Sequence, residues 1–177
     1  MGEATARGAA IELLVLDVDG VLTDGSIVYL DNGTELKRFH VRDGSGLKLW
    51  HQAGKRSAII TGRTSPVVDV RANELGVQWV LQGRADKLVA YREVLAVSGL
   101  APAQVCCVGD DLPDLPLMHH CGLAVAVADA CPEVQAAAHW VTRAMGGQGA
   151  VREVIERLLK VQGTWARIVR GYQEQTL

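Results

Sequence analysis

Residues Leu13 to Gly25 read LLVLDVDGVLTDG, an apolar run that stops abruptly at two aspartates one residue apart. Leu and Val without polar alternation predict a strand buried on both faces, as in a parallel α/β sheet, and such sheets place ligands at the carboxyl ends of their strands. Asp17 and Asp19 are therefore expected at the mouth of a crevice. Two carboxylates this close raise each other's pKa unless a cation offsets the repulsion, and a hard, oxygen-seeking ion such as magnesium suits them. A helix cap or tight turn also uses Asp and Gly. The whole DVDGVLTDG string, with its third aspartate, exceeds what a turn requires.

Composition narrows the field. The chain has 177 residues, 49% of them hydrophobic, enough for one well-formed core, and the reading is a single domain over 1–177. A net charge of −2 argues against nucleic-acid binding. No stretch has the length of a membrane span, and MGEATARGAA lacks the apolar segment of a secretory signal. A soluble, cytoplasmic protein is expected. Cys106, Cys107, Cys121 and Cys131 lack zinc-ligand spacing and read as reduced, mostly buried thiols.

Beyond the first strand, Ser26–Leu30 and Glu35–Val41 flank Asp31-Asn32-Gly33, a hairpin signal. Helices are expected at Gly46–Ala53, from Pro66 to Gly76, at Asp86–Ser98, Leu112–His120, Cys131–Ala138 and Ala150–Val161. Strands are expected at Arg56–Ile60, Val77–Leu81, Gln104–Val108, Leu123–Val127 and Trp140-Val141. The alternation predicts a Rossmann-like parallel sheet flanked by helices, with a core over about residues 10–163 and a tail over 164–177.

Polar groups recur where these strands end. Thr61-Gly62-Arg63 offers a hydroxyl and an amide to phosphate oxygens, Lys87 opens a helix, and Asp110-Asp111 with Asp114 follows the next core strand. In this order they resemble the four motifs of the haloacid dehalogenase superfamily. That resemblance implies Asp17 as nucleophile, Asp19 as general acid and base, Thr61 and Lys87 as holders of the transferring phosphoryl group, and magnesium on Asp17, the Asp19 carbonyl and Asp110. Whether Asp111 or Asp114 joins the metal shell stays open.

The hairpin, HVRDGSGLKLW, ITGRTSPVVDVRANELG, GDDLPDLPLM, GLAVAVADA and GGQGAVREVIERLL are together similar to the tetrameric 3-deoxy-D-manno-octulosonate 8-phosphate (KDO 8-phosphate) phosphatases of lipopolysaccharide precursor synthesis. The similarity implies a fold without a cap domain, a homotetramer joined through the hairpin, and an anionic sugar-phosphate substrate. It also implies that Asp19, His40, Val41, Arg42, Asp43, Gly44, Lys48, Gly62, Arg63, Arg71 and Lys87 surround that substrate. Two positions depart from the family pattern. His40 stands where Asn is common, either as a substrate hydrogen-bonding group or as a satisfied strand-end residue, and Gln148 stands where Arg is common. The other readings are a phosphatase for a nine-carbon sialic-acid-type sugar phosphate, a receiver domain, and a non-catalytic tetramerisation module. A receiver domain does not explain an acidic pair after Lys87. An idle module would have lost the carboxylates that this chain keeps.

Overall fold

Four consecutive buried apolar side chains form β1 (Leu13–Leu16) in a computed structural model that describes residues 3–174. Side chains on a strand alternate between faces, so continuous burial requires cover on both. The sheet supplies that setting. Numbered along the chain, its strands are β1, β4 (Arg56–Ile60), β5 (Trp79–Leu81), β6 (Val105–Gly109), β7 (Leu123–Ala126) and β8 (Trp140–Val141). They lie in the order β5-β4-β1-β6-β7-β8, every pair parallel. The chain winds outward on one side of β1 and then returns to build the other. Between β4 and β6, β1 therefore ends at the switch point where open α/β sheets form their crevices. Register does the positioning: Leu16 is opposite both Ile59 and Val108, which brings Asp17, Thr61 and Asp110 to one rim.

The helices are α1 (Glu3–Gly8), α2 (Val41–Gln52), α3 (Pro66–Leu75), α4 (Lys87–Ser98), α5 (Leu115–Met118), α6 (Pro132–Ala137), α7 (Ala150–Val161) and α8 (Trp165–Gln173). α2, α7 and α8 pack in sequence with one another, and α4, α5 and α6 form a second contiguous set. Asp86 caps α4 by accepting from the Leu88 and Val89 amides at 3.0 and 3.1 Å, and Gly76 closes α3 at φ 76°. Among the described residues no helix is long and apolar enough to cross a membrane.

Several expected boundaries shift. The α2 helix starts at Val41, not Gly46, so His40 stands before a helix rather than at the end of a strand. Gly44 and Gly46, which look like breakers, sit inside α2 because neighbours come close. A Cβ on Gly44 would lie 2.3 Å from Arg71 Nη2, and one on Gly46 would lie 3.3 Å from Arg152 Cα. The hairpin strands shrink to β2 (Val28–Tyr29) and β3 (Glu35–Leu36), paired antiparallel with Val28 opposite Leu36. Leu112–His120 splits into a 3-10 turn and the short α5, since Pro113 and Pro116 interrupt the hydrogen-bond ladder. The tail, for which no packing partner was expected, docks Trp165 and Ile168 on the core, with Arg152 and Lys160 over the Trp165 ring at 5.4 and 5.5 Å. The unexpected α1 is tied down by Gln162 Nε2, which donates to the carbonyls of Gly8 and Ile11 at 3.1 and 2.9 Å.

A His51 bridge joins α2 to the sheet. Its Nδ1 lies 3.2 Å from Leu75 O and therefore donates, which leaves Nε2, 2.8 Å from Ser57 Oγ, to accept the serine proton. Burial pushes the His51 pKa down, against a smaller opposing effect of the Leu75 carbonyl. A depressed histidine binds fewer protons when folded, so its contribution is complete above the unfolded value of about 6.5 and is lost as pH falls below it. The melting-temperature advantage of wild type over His51→Gln should accordingly narrow between pH 7.5 and 5.5 in paired thermal scans. A constant difference would contradict the bridge.

Candidate active site

The DVDG loop is shaped by its own backbone. Val18 O accepts from the amides of Val21, Leu22 and Thr23, and buried Thr23 Oγ1 accepts from Gly20 N and Gly25 N at 3.4 and 3.3 Å. Gly20, at φ 91°, has Asp110 Oδ2 only 2.0 Å from where a Cβ would stand. Gly146 covers the loop from the other side, its own Cβ position 1.7 Å from Gly20 O, and Gly147 N–H donates to Val21 O at 2.9 Å. Gly146 and Gly147 are thus there for close approach, while Gln148 is exposed beside Met145.

A cavity of about 340 Å³ opens at this rim, lined among others by Asp17, Thr61, Gly62, Lys87 and Asp110. Lys87, 5% exposed at the first turn of α4, donates to Asp114 Oδ1 at 2.7 Å and lies 2.9 Å from Asp17 Oδ1. Burial works to lower its pKa, but Asp17 and Asp114 outweigh that and hold the ammonium above its ordinary value. Asp114 Oδ2 accepts from the amides of Asp110 and Asp111 at 3.0 and 3.4 Å, which fixes the acidic loop. Burial, then Asp114, raises Asp17 to about 6, despite Lys87. Burial, then Asp17 and Asp114, raises Asp110 to about 7.

Asp19 has different company. It pairs with Lys37, a hairpin lysine whose side chain is 1% exposed, and its Oδ2 lies 3.7 Å from Arg63 Nε. Arg63 Nη2 in turn donates to Glu35 Oε1 at 2.6 Å and to the Tyr29 hydroxyl at 3.2 Å. Thr61, 3% exposed, accepts the Arg63 amide at 3.4 Å. Lys37 and Glu35 escaped the sequence reading, although their spacing of two along an extended segment puts them on one face. Asp114 was named there without a role.

The remaining expected substrate residues lie elsewhere on the chain. Val41, Gly44, Lys48 and Arg71 line a groove of about 300 Å³ that shares no lining residue with the aspartate cavity. Arg71 pairs with Glu74 at 2.7 Å and stands 5.8 Å from the centre of the Phe39 ring, and Arg42 is exposed. Asp43 is committed to another task. Its carboxylate, 1% exposed, accepts from Gly149 N at 3.2 Å and Arg152 N at 2.7 Å and so caps α7. His40 Nδ1 is 3.9 Å from Asp43 Oδ2 and lacks a hydrogen-bond partner.

Carboxylate oxygens of Asp17, Asp110 and Asp114 fall within 4.8 Å of one another, and Asp110 Oδ1 is buried without a hydrogen-bond donor. Such an all-oxygen donor set fits a magnesium ion. Asp19 enters the expected metal set only through its backbone carbonyl, since its side chain turns to Lys37.

A parallel sheet whose crevice gathers these groups defines a phosphoryl-transfer hydrolase of the haloacid dehalogenase class, and a family model described as haloacid dehalogenase-like hydrolase matches residues 75–155. Over 156 residues the chain is 51% identical to the 3-deoxy-D-manno-octulosonate 8-phosphate phosphatase of Yersinia pestis, covering 88% of this chain and 83% of that protein. Its Escherichia coli K12 counterpart is 48% identical over 161 residues, 91% and 86% of the two chains. A crystal structure of the Moraxella catarrhalis enzyme with magnesium, phosphate and KDO superposes with a TM-score of 0.95 at 41% identity, covering 98% of this chain and 99% of that one. The chain belongs to the 3-deoxy-D-manno-octulosonate 8-phosphate phosphatase family.

Two outcomes follow from this geometry. Carboxylates raised in the folded state bind extra protons there, so in metal-free protein their stabilisation is full below the unfolded value of about 4 and is lost as pH rises through about 6 to 7. Protons and magnesium compete for the same oxygens, so the melting-temperature rise on adding magnesium should be larger at pH 7.5 than at pH 5; an equal rise would place the ion elsewhere. Gly146→Ala should destabilise the protein by about 3 kcal/mol, because its methyl meets backbone rather than a movable side chain. Denaturant titration measures this.

Proposed function

We propose that this chain is a magnesium-dependent phosphatase that hydrolyses 3-deoxy-D-manno-octulosonate 8-phosphate to KDO and phosphate, in lipopolysaccharide precursor synthesis. The observation that carries the mechanism is that Asp17, Asp19, Thr61, Gly62, Lys87 and Asp110 line one cavity. Asp17, poised at the end of β1, attacks phosphorus and forms an aspartyl-phosphate. Asp19 protonates the departing sugar alkoxide and then takes a proton from the attacking water. Thr61, the Gly62 amide and Lys87 hold the phosphoryl oxygens as charge moves onto them. Magnesium, held by Asp17, Asp110 and the Asp19 carbonyl, neutralises charge between carboxylates and the phosphate dianion. The whole chain acts as one unit, and its four free cysteines support a cytoplasmic setting.

Of the expected substrate residues, Val41, Gly44, Lys48 and Arg71 line a groove that shares no residue with the crevice, which favours assembly into a homotetramer. The hairpin carries the apolar surface for it: Ile27 is 50% and Tyr29 60% exposed, with Val28, Leu30 and Leu36 alongside. His40, Val41, Arg42, Gly44, Lys48 and Arg71 of one subunit would then complete the sugar site of another, with Asp43 holding their helix in place.

Asp17→Asn should leave the fold intact and cut kcat by on the order of 10^4-fold. Asp19→Asn should cost on the order of 10^2- to 10^4-fold, least for a leaving group that needs no proton. Steady-state kinetics on a panel of sugar-acid phosphates decides the substrate: kcat/KM for the eight-carbon compound should exceed that for a nine-carbon sialic-acid-type 9-phosphate by about tenfold or more. The reverse ranking would transfer the assignment to the longer sugar. Val28→Lys with Leu30→Lys should yield smaller species by light scattering, which hydrolyse the sugar phosphate poorly yet retain activity on a small aryl phosphate. An active wild-type monomer would remove the assembly from the account.

A further inference from the structure

A guanidinium at the mouth of the crevice is held from outside the central sheet. Arg63 lines the aspartate cavity just beyond β4, and its side chain is 40% exposed, so packing alone does not fix it. Its anchors are on the hairpin. Nη2 donates to Glu35 Oε1 at 2.6 Å and to the Tyr29 hydroxyl at 3.2 Å. Tyr29 on β2 and Glu35 on β3 are directly opposite one another in the antiparallel pair, so both side chains leave the hairpin on one face. Glu35 Oε1 lies 3.5 Å from Lys37 Nζ, and Lys37 turns from that same face to Asp19. With Nη2 occupied, the guanidinium presents Nε. That atom is buried, has no hydrogen-bond partner, and stands 3.7 Å from Asp19 Oδ2, too far for a hydrogen bond.

We propose that Glu35, with Tyr29 beside it, is a positioning residue for substrate recognition, fixing the Arg63 guanidinium so that its Nε–H reaches an oxygen of the leaving sugar. This rests on the phosphatase reading of the crevice, in which Asp19 meets the departing alkoxide. A buried donor without an acceptor, this near the Asp19 carboxyl, is placed for an oxygen of the same leaving group, close to the ester. Glu35 is not among the residues that line the cavity, so it acts through the arginine. A carboxylate suits that task, because its hydrogen bond to a guanidinium is short and strong and sets the plane of the fork. An arginine left to rotate would have to be ordered by each substrate molecule, and that loss appears in binding.

The test is steady-state kinetics on the whole chain with magnesium, comparing KDO 8-phosphate with 4-nitrophenyl phosphate, which offers Arg63 no sugar oxygen. Glu35→Leu should raise KM for the sugar phosphate about tenfold, while kcat on that substrate and KM for the aryl ester stay within about threefold of wild type. Glu35→Gln, which keeps an acceptor, should recover most of the loss. Tyr29→Phe removes only the hydroxyl and should show a smaller rise of the same kind; it decides by the same comparison if Glu35→Leu does not fold. Arg63→Met should raise KM at least as far as Glu35→Leu does, and adding Glu35→Leu to it should cost nothing further. Equal losses on both esters, or a Glu35→Leu effect of full size in the Arg63→Met background, would overturn the proposal, since Glu35 would then only support the hairpin. An unchanged KM in Glu35→Leu beside a raised one in Arg63→Met would also overturn it and leave the phosphatase reading standing. A wild-type chain that cleaves the aryl ester but not the sugar phosphate would instead remove that reading, and this role of Glu35 with it.

Discussion

The buried ammonium of Lys87 makes the carboxylate cluster of this crevice possible. Lys87 stands between Asp17 and Asp114, and Asp114 in turn holds the amides from which Asp110 projects. Three carboxylates packed this closely repel by several kcal/mol at an effective dielectric of about 20, so the fold tolerates them only with a fixed positive charge among them. The capped first turn of α4 supplies it, because Asp86 anchors the helix start and thereby the lysine. What remains unbalanced is the demand for a further cation. That is how a structural compromise becomes a catalytic resource.

The central sheet and the principal carboxylates were legible in the sequence because both depend on local patterns. A continuous apolar run has few structural solutions, and a polar residue at its end has one obvious location, so Asp17, Thr61 and Asp110 could be placed at strand ends, and Lys87, at a helix start, joined them through the order in which the motifs follow one another. Residues whose role depends on distant partners could not. Asp43 reads as a recognition residue until α7 is seen to begin on it, 106 residues along the chain. Lys37 carries no local signal of its partner in the sequence, and only the folded hairpin sets it against Asp19. Gly46 reads as the start of a helix, although it and Gly44 lie inside α2, where they let two other helices approach.

The division between the two cavities has a chemical logic. In the proposed reaction the aspartate cavity would handle a group common to all phosphate esters, and it is lined by residues that follow the strand ends of the sheet, joined by Lys87 from the first turn of α4. The groove beside α2 and α3 is lined by helix residues, among them Lys48 and Arg71, which can vary without disturbing β1. In the proposed function, reaction type and substrate identity would thus be written on different elements. His40 and Gln148 depart from the family pattern near these helices and loops, and none of the strand-end carboxylates does.

The cover on the DVDG loop also bears on how the protein comes into being. The loop is made within the first twenty-five residues, yet Gly146 and Gly147 close over it, and the cap that Asp43 gives to α7 cannot form before Gly149 and Arg152 exist. Contacts of such long sequence separation are slow to form. A chain emerging from the ribosome therefore carries its DVDG loop uncovered until the segment around Gly146 has been made, and the contact that seals the crevice joins residues from widely separated parts of the sequence.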